Sequence, residues 1–331
     1  MNWLERGWYG EHKGSYLFAP LALIFYLVSA VRRGCYRWGI FKSEPVGRPV
    51  IIVGNISVGG TGKTPFVVWL IDYLRAQGLN PGVISRGYGS QIKNGSYLIK
   101  SSDSAAKVGD ETRLIADRSQ APVCVGPDRI KSAQTLIHTC GCDILISDDG
   151  LQHYRLSRDL EIVLIDGQRQ LGNACLLPVG PLREGAWRLK TADLVIQNGQ
   201  SQASVYTNDS FAIKAGPPKN LRADRNVKFD TSQACIAICG IGNPQRFFTT
   251  LKKENIQVLE SHTFVDHHNF KATDFSEFSD QQIIMTEKDA VKCTPFAQAN
   301  WWYLPINIEP DAAFIAKLET KIQTIRNQYG I

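Results

Sequence analysis

From residue 49 the chain alternates two hydrophobic patterns. Continuous apolar runs such as "PVIIVGN", "APVCVG", "CDILISDDG", "LEIVLIDG" and "ADLVIQNG" predict strands buried on both faces. Between them, "FVVWLIDYLRAQG", "GDETRLIADRS" and "DRIKSAQTLIHTCG" carry helical spacing with polar faces. This order predicts an α/β fold with a mostly parallel sheet and helices on both faces. Right-handed crossovers then bring the loops after the strands to one rim. Near residue 200 the chain turns polar and rich in turn residues. A strand–loop–helix pattern restarts at "QACIAICGIGNPQRFF". The expected organisation is an N-terminal segment over 1–45, a core domain over 46–204 and a smaller α/β domain over 205–331.

The most apolar stretch, residues 17–31, precedes all of this. As a helix its roughly 15 residues reach about 22 Å, short of the roughly 30 Å hydrocarbon core. Aromatic residues bracket it, and Arg32, Arg33, Arg37 and Lys42 follow. These flanks predict an interfacial helix on a membrane surface. A buried core helix and a true span are the alternatives.

The 331 residues are 44% hydrophobic and 21% charged, with a net charge of +6. That balance suits a globular protein with an anionic ligand or surface. No basic run interleaved with aromatics predicts nucleic-acid binding. The eight cysteines show no paired C-x-x-C spacing and read as reduced, buried thiols rather than a zinc site.

The candidate chemistry starts at "NISVGGTGKTPF", which follows the first buried strand and opens a helix. A glycine-rich turn there aims backbone N–H groups at an anion. Ser57, Val58, Gly59, Gly60, Thr61, Gly62, Lys63 and Thr64 form the expected phosphate loop. Lys63 would meet the β- and γ-phosphates and Thr64 would ligate Mg²⁺. Ser57 stands where the common G-x-x-x-x-G-K-[ST] pattern has glycine. Asp148 and Asp149 end an apolar strand and are the expected metal carboxylates, in the Walker-B manner. Asp110, at a loop-to-helix junction, is either a helix cap or a group acting on an acceptor hydroxyl. His267 is a second candidate for that task. Together these predict a P-loop NTPase-type core.

Seven stretches in order, "VGNISVGGTGKTP", "SRGYG", "VGDE", "DDGLQH", "LPVGPLRE", "FVDHH" and "MTEKDAVKC", resemble the tetraacyldisaccharide 4′-kinases of lipid A biosynthesis. That family's loop reads [ST]-x-G-G-x-G-K-T, which accounts for Ser57. The resemblance implies ATP and Mg²⁺ as cofactors, and an acylated glucosamine disaccharide 1-phosphate phosphorylated on its 4′-hydroxyl. It implies work at the cytoplasmic face of the inner membrane, with no nucleic acid and no obligate protein partner. It pairs Asp110 with His267 as a base-assisting dyad, with Lys63 also catalytic. Arg86, Tyr88, Gln152, His153, Arg183 and Glu184 are implied on the substrate rim. Arg183 could instead form a surface ion pair with Glu184. Glu287, Lys288 and Asp289 are left between domain closure, nucleotide contact and helix capping. The rival reading is a membrane-associated regulatory ATPase. Val58 stands against it, because such proteins resemble this loop but usually carry lysine there.

Overall fold

The computed structural model describes residues 3–199, 205–222, 228–278 and 280–331. The strands are β1 (Val50–Gly54), β2 (Pro81–Ser85), β3 (Tyr97–Leu98), β4 (Val123–Val125), β5 (Ile144–Asp148), β6 (Leu160–Asp166) and β7 (Leu194–Asn198). They continue with β8 (Ser210–Ala215), β9 (Lys219–Asn220), β10 (Cys235–Cys239), β11 (Val258–Thr263), β12 (Ile283–Thr286), β13 (Trp301–Leu304) and β14 (Ile306–Pro310). The helices are α1 (Trp3–Trp8), α2 (Ala19–Arg37), α3 (Lys63–Ala76), α4 (Ala105–Val108) and α5 (Asp110–Ser119). After them come α6 (Arg129–Cys140), α7 (Pro244–Lys253), α8 (Glu287–Cys293) and α9 (Ala312–Tyr329).

Two sheets result. Among the described residues the larger has nine strands in the order β14-β8-β7-β6-β1-β5-β2-β4-β3, and the smaller has five in the order β11-β10-β12-β13-β9. The central strands β1, β2, β5 and β6 are buried along their whole length, as their unbroken apolar runs predict. β1 lies parallel between β5 and β6, so the loops after these three strands share one rim. One face of the large sheet packs on α3 and α9 through Phe66, Leu70, Phe314, Leu318 and Ile322. The other packs on α6 through Ile130, Ala133 and Leu136.

The allocation of strands differs from the expected break at residue 205. β8 pairs parallel with β7 and antiparallel with β14, so both belong to the large sheet. The smaller sheet is built from strands between residues 219 and 304, inserted between β8 and β14. Hydrogen bonding along an open sheet edge and the apolar stripe of α9 draw the C-terminus back. Phe314 meets Phe66 with ring centroids 5.9 Å apart.

The N-terminal helices sit on this body by their ends. The Trp8 indole donates to the Pro178 carbonyl at 2.9 Å. At the far end of α2, Arg33 stacks over Trp187 at 4.8 Å, and the Tyr36 and Tyr154 rings lie 5.6 Å apart. No residue of α2 is buried, which excludes the buried core helix. Leu17, Val28 and Val31 are among its exposed apolar neighbourhood, at 80%, 64% and 64% exposure. The helical segment runs over residues 14–37, longer than the apolar run alone, and is long and apolar enough to cross a membrane by length and composition.

Candidate active site

The phosphate loop leaves β1 at Gly54 and enters α3 at Lys63. Its turns are made by Gly59 and Gly62, with φ of 111° and 89°, a region only glycine adopts freely. A Cβ on Gly62 would lie 2.6 Å from the Asn198 amide, which donates to the Thr61 carbonyl at 3.1 Å. Ser57 instead forms an antiparallel bridge with Leu182, and Val58 N–H donates to Pro181 at 2.8 Å. Serine is therefore tolerated where the common loop has glycine. Gly62 caps α3 without a side chain, so the first N–H groups of the helix have no side-chain acceptor.

Lys63 is drawn to this rim by two partners. Its ammonium donates to Asn55 Oδ1 at 2.7 Å and lies 3.6 Å from Asp149. Asp149 follows β5 in a left-handed conformation (φ 48°). Arg183 binds it at 2.8 Å. Burial acts to raise the Asp149 carboxyl, but Lys63, Arg183 and Arg129 outweigh it and hold it at about 2. Asp148 differs. It is 4% exposed, and its Oδ1 has no hydrogen-bond partner among the described residues. Burial, helped by the charge of Glu111 and only partly offset by Lys63, pushes it up to about 7. A carboxylate so placed suits a cation. Among the described residues no three His, Cys, Asp or Glu side chains cluster as a metal cage. Thr64 and Asp148, with phosphate oxygens, would be a sparse donor set of the kind Mg²⁺ takes.

The second half of the site crosses from one sheet to the other. Gly109 (φ 92°) turns the chain so that Asp110 starts α5, and a Cβ there would meet the Tyr88 carbonyl at 2.8 Å. Asp110 is buried and binds His267 Nδ1 at 2.9 Å through Oδ2. Burial alone would raise Asp110, but His267, Lys288 and Lys292 together hold it below the ordinary carboxylate range. In return the Asp110 hydrogen bond raises His267, against burial and the Lys288 charge. Tyr88 covers the imidazole, ring centroids 5.0 Å apart.

The remaining rim residues divide. Arg183 pairs with Asp149, not with Glu184. Glu184 is 2% exposed and turned inward, with Arg188 at 3.2 Å and the Tyr154 hydroxyl donating to it at 3.2 Å. Its neighbour in sequence thus faces the site while Glu184 is held among buried groups. Gln152 reaches the Arg183 carbonyl at 3.5 Å. His153 is pushed down to about 4 by burial and by Arg129, Arg158, Arg32 and Arg155, so it is neutral at physiological pH. Arg86 is exposed at the rim.

Several groups escaped the sequence reading. Glu111, next to Asp110, binds Lys288 at 2.9 Å and feels the charge of Lys63. Arg129 is buried and donates to the Asp149 carbonyl at 3.0 Å. Arg246 reaches Asp166 at 2.8 Å and the Gly60 carbonyl at 3.4 Å, and Arg169 reaches the Gly242 carbonyl at 3.1 Å, which joins the small sheet to the end of β6 and to the phosphate loop. Glu287 and Asp289, which the sequence leaves between domain closure, nucleotide contact and helix capping, are both buried, and Glu287 takes both its bonds at 2.7 Å from Arg118 of α5. Asp289 is fully buried and accepts from Gly240 N–H at 2.9 Å. The adjacency "VGDE" was the only signal for Glu111; the arginines have none.

A sequence model of the family described as tetraacyldisaccharide-1-P 4′-kinase matches residues 15–323. The chain belongs to that family. It is 47% identical over 320 residues to a tetraacyldisaccharide 4′-kinase of Colwellia psychrerythraea, covering 93% of each chain. With the protein of the same name from Shewanella frigidimarina it shares 44% over 325 residues, 97% of this chain and 96% of that one. Among solved structures, LpxK from Aquifex aeolicus in complex with ATP is similar, with a TM-score of 0.79 and 28% identity. That likeness covers 94% of this chain and 99% of the other. Membership in the family makes the chain a phosphotransferase acting on a hydroxyl group, and none of these relatives supports the regulatory ATPase reading.

Proposed function

We propose that this chain uses ATP with Mg²⁺ to phosphorylate the 4′-hydroxyl of a tetraacylated glucosamine disaccharide 1-phosphate, at the cytoplasmic face of the inner membrane. The observation that carries the reading is the Asp110–His267 bond at 2.9 Å, made between the two sheets beside Glu111 and the phosphate loop. Lys63 and the free N–H groups of α3 hold the phosphates. Thr64 and Asp148 would hold Mg²⁺, which would supply positive charge against the phosphate oxygens. Phosphoryl transfer is loose, so the acceptor mainly needs positioning and a late proton acceptor. Asp110 receives that proton, and His267 holds the carboxylate in place by its Nδ1–H. Because the pair spans the two sheets, separating them takes it apart, and ATP is then not poised for water. Arg86, Gln152, His153 and Arg183 line the acceptor side.

The reading is tested with γ-labelled ATP, Mg²⁺ and the disaccharide in detergent. Label on the lipid, absent with Lys63→Ala, is expected. Nucleotide binding without labelled lipid, with substrate well dispersed, would return the regulatory ATPase.

The anchor has its own test. Deleting residues 1–40 removes the exposed apolar helix but little of either core. Flotation with anionic vesicles is expected to lose most bound protein, while the thermal unfolding transition stays cooperative. A truncated chain that floats as fully as the intact one overturns the anchor.

A further inference from the structure

The "TEKD" stretch is only partly used by the site so far. Glu287 clasps Arg118 and Asp289 accepts from the Gly240 N–H and the Thr286 hydroxyl, yet Lys288 points elsewhere. Its ammonium is 3.3 Å from His267 Nε2, 2.9 Å from Glu111 and 3.3 Å from Asp266. We propose that Lys288 is a positioning residue that holds His267 as the neutral, Nδ1-protonated imidazole, and so spares Asp110 an imidazolium charge at hydrogen-bond distance.

The argument is one of donors and acceptors. An ionised carboxylate only accepts, so His267 Nδ1, 2.9 Å from Asp110, must carry a proton. An ammonium only donates, so Nε2, 3.3 Å from Lys288, must be bare. Two independent partners therefore select one tautomer. An imidazolium would set its Nε2–H against the ammonium. The surroundings make this selection necessary. Asp266 Oδ1 lies 3.9 Å from Nε2 and would accept a proton there if Lys288 did not occupy it. Without Lys288, His267 stands between two carboxylates, the arrangement that most favours imidazolium.

The other groups around the ring do not replace Lys288. Lys292 is 4.0 Å from Asp110 and paired with Asp289 at 2.8 Å, on the carboxylate side of the pair. His268 is bound to Asp274 at 3.0 Å, and Tyr88 offers only its ring. Glu111 faces Lys288 and fixes it. The cost of losing the neutral form falls on Asp110. A carboxylate beside an imidazolium has lower proton affinity than one beside a neutral N–H, and so accepts a hydroxyl proton less readily. This inference rests on the kinase reading, but the state of His267 is readable without transfer.

The test combines kinetics with histidine-selective ¹⁵N spectra of the full chain in detergent, His267 being assigned by the signal lost in His267→Gln. In the wild type a protonated Nδ1 and a bare Nε2 are expected. Lys288→Met is expected to add a proton at Nε2 at the same pH and to raise the acidic limb of the kcat profile by about one unit. It should lower kcat about 10- to 100-fold, the scale on which outer partners act, with the KM for ATP little changed. Lys288→Gln keeps a donor and removes the charge, so it should retain the tautomer but still shift the limb. It also serves if Lys288→Met fails to fold. A wild-type Nε2–H, or an unshifted limb in both variants, overturns the proposal. Wild-type protein that never labels lipid defeats the kinase reading instead, and the ¹⁵N result still decides Lys288.

Discussion

Asp110→Asn is expected to lower kcat for lipid phosphorylation about 10²- to 10⁴-fold, the range of a general base. ATP binding should stay within about threefold, because the proposed function gives Asp110 the acceptor and not the phosphates. Asparagine keeps the size and one acceptor oxygen, so His267 Nδ1–H retains its partner, but it cannot take a proton. Asp110→Ala should lose transfer equally. It would also leave the half-buried His267 without its carboxylate, so it costs stability as well. Steady-state rates with the disaccharide, set beside equilibrium ATP binding, check this. Binding that falls in step with the rate would place Asp110 in the nucleotide site and remove its role as a base.

What could be read in the sequence was local. Asn55 through Thr64 announce a phosphate loop because one strand, one turn and one helix start are consecutive in the chain. The apolar runs of β1, β5 and β6 announce burial for the same reason, and Asp148 and Asp149 are marked by ending such a run. The elements that escaped depend on partners distant in the chain. β8 and β14 look like any strand pair, and only the open edge of β7 assigns them to the large sheet. Arg183 and Glu184 are adjacent, so the sequence leaves an ion pair between them open. The backbone sends one to Asp149 and the other to Arg188. Lys288 meets Glu111 across 177 residues, through the packing of α8 on α5, and no spacing rule contains that contact.

The same contrast separates two kinds of arginine and lysine here. Arg118, Arg169 and Arg246 spend their charge joining the small sheet to the large one. Lys63 and Lys288 are held by polar groups at the rim, with their ammonium groups at 2.7 Å from Asn55 and 3.3 Å from His267. On the proposed function, the first group sets whether the Asp110–His267 pair assembles, and the second sets its chemistry once assembled.

Lys63→Ala should lower kcat/KM about 10²- to 10³-fold or more, on the scale of losing one donor aimed at developing charge. The fold should survive. Among the described residues Lys63, 13% exposed, bonds only to Asn55 Oδ1, with Asp149 farther away at 3.6 Å. Without it Asp149 still has Arg183, and the Asn55 amide still binds the Ser57 carbonyl. The melting temperature should therefore move by no more than a few degrees, about 1 kcal/mol or less. Lys63→Arg should not restore activity. The site presents one amide oxygen and one carboxylate oxygen to a single ammonium, and a planar fork cannot meet both at the same atom. Transfer assays, ATP binding and thermal melts on the two variants check each part. Arginine that recovers wild-type kcat/KM would show that charge alone matters, and that the Asn55 contact does not set the geometry of the loop.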